Sequence, residues 1–564
     1  MEASFSGAEK GSGNEATQED TYTGEASFLC SSKTNGFAHI TRICETLVTS
    51  KAFAFALDSR GRIYFEENSI LKSELLSIDT TISGLGMSVN GHDRFLTTNP
   101  GDYNVYSLSV AFNLFLSDKK LFNAAFGFPA ESARIFMRPI AIKMEGNEEH
   151  EMFLPYFRIY DGGTISLSLS PILGFENASV REVIFKDVNR SQRNISSILC
   201  EKTLLLACIE CQVSQMPLQE RIRQRKALKA AIKSALDSPE EIDFLNENIS
   251  FYELVSNDKL SLTDVSRNLL AMVGRAAASG VLRTRINWIG MKHRDESVGA
   301  YWCAKPIIFI KSHTRQKNSS TENWESHKHL VNSVMNRVHV NGVAVCSSSS
   351  YSDMRAFEDF NSFYSEAVSL VLSSAQLESF IDQNHSYTFN NLVADVQVLN
   401  EASHFLQIYY SYTSLKLDNS KTAIDVAKIE LEILRLEESL LSAHKYGEIA
   451  EYLNEIRRGN HFSTIMKLLH KKVETVRKAL ELDEKIQSES YMRRITIIFG
   501  IIASATLSPE LMQPLANVYG ITFSNDEIGK LVGIAASVVA VFSILTLSHY
   551  IFRAVTWITR RLKT

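Results

Sequence analysis

LVGIAASVVAVFSILTLSHYIF, residues Leu531 to Phe552, is a run of 22 positions without a formal charge. Wound as a helix rising about 1.5 Å per residue, it would measure about 33 Å, enough to cross a hydrocarbon core of about 30 Å. Upstream, ITIIFGIIASATL (Ile495–Leu507) is apolar over 13 residues, about 20 Å, and needs an extension to span. Continuing to Gly520 supplies the length but takes in Pro509, Glu510 and Pro514. A carboxylate at that depth is tolerated where it faces a partner, a watery lumen or the headgroup zone. These two segments predict an α+β membrane protein with two C-terminal transmembrane helices.

Charge orients the pair. Arg493 and Arg494 precede the first segment, Arg553, Arg560, Arg561 and Lys563 follow the second, and Asp526 and Glu527 lie in the connection. The excess of basic residues on one side predicts a multi-pass protein of the cell (inner) membrane with both termini cytoplasmic. Thr496, Gly500, Ser504 and Ser508 recur every four residues of the first segment. Such a stripe suits the lining of a narrow aqueous path, and equally close packing between helices.

Outside the carboxy-terminal segments the chain reads as globular. It has 564 residues, 45% hydrophobic and 22% charged, with only 10 Pro, which excludes collagen-like and wholly disordered classes. A net charge of −5 argues against a general nucleic-acid binder. Residues 1–25 hold an acidic stretch poor in large aliphatic side chains, expected as a disordered tail. Seven scattered cysteines fit a reducing compartment. Cys208 and Cys211 have metal-ligand spacing, but they lie in the apolar run Leu204–Val213 without a second pair, which favours buried thiols in a strand.

Residues 26–350 predict a cytosolic α/β domain, large enough to serve as a sensor with a regulatory site. Lys51–Leu57 and Arg62–Phe65 flank Asp58-Ser-Arg-Gly61 as a hairpin, with further strands at Val105–Leu116, Ile135–Lys143, Met152–Tyr160, Thr164–Leu173 and Thr203–Val213. Helices are expected at Leu218–Leu236, Leu262–Ala278 and Trp324–Val338. His327, His329 and His339 read as solvated polar positions, and the basic stretch Pro217–Lys233 as a solvated amphipathic face. No phosphate-binding, nucleotide-binding, zinc-protease or serine-hydrolase motif occurs, so no enzyme is expected.

Residues 351–490 should form a helical hairpin and stalk. Phe462, Met466, Leu469, Val473, Val476 and Leu480 follow alternating steps of four and three, a coiled-coil seam. No Pro or Gly interrupts Phe462–Arg494, so one continuous helix should run into the 491–564 transmembrane region with its basic tail.

This order, together with Val518-Tyr519-Gly520-Ile521-Thr522 at the end of the first segment, resembles the CorA/ZntB superfamily of divalent-cation transporters and channels. Tyr519 and Gly520 match that family's Tyr-Gly-Met-Asn, while Ile521 and Thr522 stand where it has Met and Asn. The resemblance implies a homopentamer in the lipid bilayer with Mg²⁺ or another divalent cation as the transported or regulatory ion. Its pore would be lined by Thr496, Gly500, Ser504, Ser508, Glu510, Asn517, Tyr519 and Gly520. Two further functions are compatible with the same order: an effector pore gated by a cytosolic small-molecule signal in a signalling or defence system, and a non-conducting membrane-tethered scaffold.

Overall fold

The computed structural model describes residues 20–34, 39–81, 84–89, 103–122, 130–244, 247–286, 288, 302–339, 351–354, 359–383, 388–443, 453–454 and 456–520, with scattered positions from 527 to 546. Its strands are β1 (Thr21–Lys33), β2 (Phe53–Asp58), β3 (Arg62–Glu67), β4 (Ile70–Thr81), β5 (Gly84–Val89), β6 (Ser132–Met137), β7 (Ile140–Met144), β8 (Glu151–Tyr160), β9 (Thr164–Pro171), β10 (Phe175–Ser179), β11 (Asn194–Cys200), β12 (Glu240–Phe244), β13 (Glu247–Ser261), β14 (Trp302–His313), β15 (Phe360–Tyr364) and β16 (Ser369–Ser373). Its helices are α1 (Ile40–Val48), α2 (Tyr103–Leu121), α3 (Val180–Glu182), α4 (Lys202–Gln215), α5 (Leu218–Asp237), α6 (Leu262–Ser279), α7 (Ser320–Ser326), α8 (Lys328–Asn336), α9 (Ala375–Gln383), α10 (Phe389–Asp418), α11 (Ala423–Ala443) and α12 (Asn460–Val518).

The strands join in one large mixed sheet whose main path runs β15-β16-β14-β1-β9-β8-β6-β2-β3-β4-β5. Among the described residues, β14–β16 is the parallel pair and the remaining pairings are antiparallel. The expected hairpin is β2–β3, with Gly61 at φ +86°, a conformation that glycine adopts without steric cost. Several other expectations need correction. Val105–Leu116 is helical, inside α2, and Thr203–Val213 is helical, inside α4. Both are short apolar runs whose periodicity does not separate strand from helix. Ile135–Lys143 breaks into β6 and β7 at Arg138-Pro139, and the helix expected over Trp324–Val338 is interrupted at His327. β1 starts at Thr21, inside the stretch expected as a tail.

The membrane architecture is also corrected. Among the described residues, no helix is long and apolar enough to cross a membrane, which overturns the two-span fold and the multi-pass inner-membrane placement. The reason lies in the sequence of α12, whose 59 residues are polar over most of their length. Its apolar stretch Ile495–Leu507 is bounded by Arg493 and Arg494 on one side and by Ser508-Pro509-Glu510 on the other. Most of Leu531–Phe552 lies outside the described residues.

The expected unbroken helix from Phe462 to Arg494 is present and continues to Val518. Phe462 and Leu469 of its seam are buried, while Met466, Val476 and Leu480 are half-buried. The chain divides into two compact units, one of Met1–Asn419 with Lys428–Lys472 and one of Ser420–Ala427 with Val473–Thr564. The site described next lies wholly in the first.

Candidate functional site

β9 reads Thr-Ile-Ser-Leu-Ser-Leu-Ser-Pro, an alternation that sends odd and even positions to opposite faces of the sheet. Ile165, Leu167 and Leu169 join Phe28 and Cys30 of β1 in the main apolar core. Ser166 and Ser168 point the other way, as does Ser31 of β1, and all three are buried. Buried hydroxyls need partners. α10 supplies Gln397 and His404 as partners, and carries Asn400, Glu401 and Gln407 on the same face, at positions three or four residues from these two.

The contacts follow that stripe. Gln397 Oε1 accepts from Ser27 Oγ (3.1 Å), while its Nε2 donates to Ser168 Oγ (2.6 Å). Ser31 Oγ donates to Ser166 Oγ (2.9 Å) and lies 3.2 Å from His404 Nδ1. Ser369 Oγ donates to Asn400 Oδ1 (2.7 Å), and Gln407 Nε2 donates to the Tyr364 hydroxyl (3.3 Å). Lys305 Nζ stands 3.7 Å from the centre of the Tyr364 ring. Burial pushes its pKa far below the ordinary lysine value and pushes that of His404 below the histidine value, where Lys305 adds to the shift.

Beside this seam lies a buried ionic cluster. Glu401 Oε2 accepts from Arg134 (2.7 Å) and Arg158 (3.0 Å), and Asp118 Oδ2 pairs with both arginines. Burial opposes the charge on Arg134, but Asp118 and Glu401 outweigh it and hold the guanidinium pKa above its usual value. Two cations and two anions leave the cluster neutral, and it ties α2 and α10 to β6 and β8. Asn391 Nδ2 to Asn113 Oδ1 (3.1 Å) and Lys120 to Asp395 (2.7 Å) join the two helices directly.

Between the two helices and the sheet the first unit holds a cavity of about 300 Å³, at the lower end of the roughly 300–1,000 Å³ typical of ligand clefts. Ser27, Tyr156 and Ser170 face it from the sheet, Tyr106 and Asn113 from α2, and Val393 and Gln397 from α10. Leu154, Ile307 and Phe309 add apolar surface. Among the described lining residues Glu25 alone is charged. Burial pushes the Tyr106 hydroxyl up to about 12, with Glu25 adding to the effect, so the phenol keeps its proton near neutrality. The cavity therefore offers hydroxyls, amides and aromatic faces, with one carboxylate.

The residues singled out from the sequence lie elsewhere. Tyr519 and Gly520 follow the end of α12, Tyr519 largely exposed and Gly520 at φ +71°. Thr496 is exposed on α12 and donates to the Met492 carbonyl (2.8 Å), and Gly500 is half-buried on the same helix. Ser504, Ser508, Glu510 and Asn517 belong to α12, and their side chains lie outside the described residues. Cys208 and Cys211 sit one turn apart on α4, not in a strand, and burial pushes the Cys208 thiol well above its usual value. His327 is buried rather than solvated, its Nδ1 3.0 Å from the Tyr22 hydroxyl. Among the described residues, no group of three metal-capable side chains occurs.

No family model, no curated protein and no solved structure matches this chain.

Proposed function

We propose that the chain is a small-molecule receptor whose ligand occupies the cavity between the sheet, α2 and α10. The observation carrying this reading is the cavity's composition: hydroxyl and amide groups from three strands and two helices converge on a space otherwise walled by apolar and aromatic side chains. That combination is what orients and encloses a small ligand. Gln397 bridges Ser27 and Ser168 at the edge of this space, so a bound molecule meets a side chain already fixed by the polar seam. The reading keeps the small-molecule signal expected from the sequence and assigns no ion path.

The test is a thermal-shift screen of ring-bearing compounds with hydrogen-bonding substituents, run on the full chain and on the cavity-filling variants Val393→Trp and Ser170→Tyr. Binding to the folded state alone raises Tm by mass action. Compounds that raise Tm in the parent should lose the effect in both variants. Shifts that survive in both variants place the ligand elsewhere and defeat the proposal.

A further inference from the structure

We infer that the ligand of this cavity is an organic cation, a protonated or quaternary amine. The inference rests on the receptor reading and adds the charge of the ligand. The described lining contains no Lys or Arg, so a phosphate or carboxylate would meet Glu25 as the one charged residue of the lining. A cation meets the reverse situation. Glu25 supplies a countercharge, and the rings of Tyr106, Tyr156 and Phe309 supply negative faces, the combination by which aromatic boxes hold alkylammonium groups.

Glu25 is available for that role. Its Oε2 is 2.9 Å from Lys311 Nζ, a pair in which both side chains are about a third exposed. Solvent screens such a pair, and a flexible lysine exchanges it readily for water. Lys311 is not among the lining residues, whereas Glu25 is. Tyr106 and Glu25 both line the space. Asn113, Ser109 and Gln397 remain to hydrogen-bond an alcohol or carbonyl elsewhere on the ligand.

Choline and its uncharged isostere 3,3-dimethylbutan-1-ol separate charge from shape. Titration calorimetry on the full chain should give choline at least about tenfold tighter binding than the isostere, since both the carboxylate contact and the attraction to the aromatic rings are lost with the charge. Glu25→Gln, which keeps the side-chain shape, should weaken choline at least about tenfold and leave the isostere within about twofold. If the isostere binds as well as choline, or if Glu25→Gln leaves choline unchanged, the cation is wrong while the receptor reading stands. If neither compound binds and the ring-bearing screen finds nothing that Val393→Trp abolishes, both fall.

Discussion

Lys305 is 3% exposed, and its Nζ has no hydrogen-bond partner among the described residues, only the face of Tyr364. An ammonium so placed loses its hydration without a matching gain, which is why burial drives the proton off. The consequence for stability has a definite sign. Below its ordinary value of 10.5 the lysine of the unfolded chain is protonated, whereas the folded chain binds that proton far less readily. Folding is therefore penalised at low pH, and the penalty fades as pH rises towards 10.5. Lys305→Met, similar in volume and without a charge to desolvate, should be more stable than the parent at pH 7. The gap should narrow as pH rises from 7 to 10. Urea denaturation at a series of pH values checks this, and a gap that widens with pH contradicts it.

At the scale of elements, α10 and β9 show what was legible and what was not. Strands β2, β3, β8 and β9 and helices α5 and α6 were readable as periodic or continuous apolar runs with turn or breaker residues near their ends. α10 lies within the 351–490 region expected as a helical hairpin and stalk, but no helix was placed over Phe389–Asp418 itself. Its residues are buried nearly all round from Leu392 to Ile408, so no polar face marks the helical period, and its polar residues point inward. The signal that could have located the site was the alternation Thr164-Ile-Ser-Leu-Ser-Leu-Ser170: hydroxyls at every second position, in a strand flanked by other strands, require a polar partner. The site residues named from the sequence came instead from Thr496–Gly520, where hydropathy was the louder pattern. The α10–β9 pairing predicts coupling between Gln397 and Ser168, which are 2.6 Å apart. Gln397→Leu removes the donor to Ser168 and the acceptor of Ser27 and should cost about 1–3 kcal/mol. Adding Ser168→Ala removes the other partner of that bond, so the double variant should be more stable than the sum of the single changes requires, by at least about 0.5 kcal/mol in a denaturation cycle.

At the scale of the whole molecule, β1 decides how much of the sheet behaves as one body. It is the only strand on the main path that joins β15-β16-β14 to β9 and the strands beyond, among the described residues. Leu29 sits at that junction, opposite Lys305 of β14 and Ser168 of β9, fully buried against Ile307, Phe309 and Val396. Pairings this distant in sequence form late in folding, because closing the long loops costs entropy before the contacts return it. Leu29→Ala leaves a void against β14 and α10, and such a truncation costs about 2–5 kcal/mol. The loss should be felt on both sides of the junction, since neither half of the sheet retains its packing without β1. Hydrogen exchange on the intact chain reads this directly: amides of β14 and β16 and those of β8 and β9 should all lose protection in Leu29→Ala. Residues of α12 beyond Val473, which belong to the other compact unit, should exchange as in the parent. Because Glu25 and Ser27 ride on the same strand, choline should also protect the variant less than the parent at equal concentration. Loss of protection confined to β14 and β16 would show instead that the two halves of the sheet are stabilised independently, with β1 an addition to one of them.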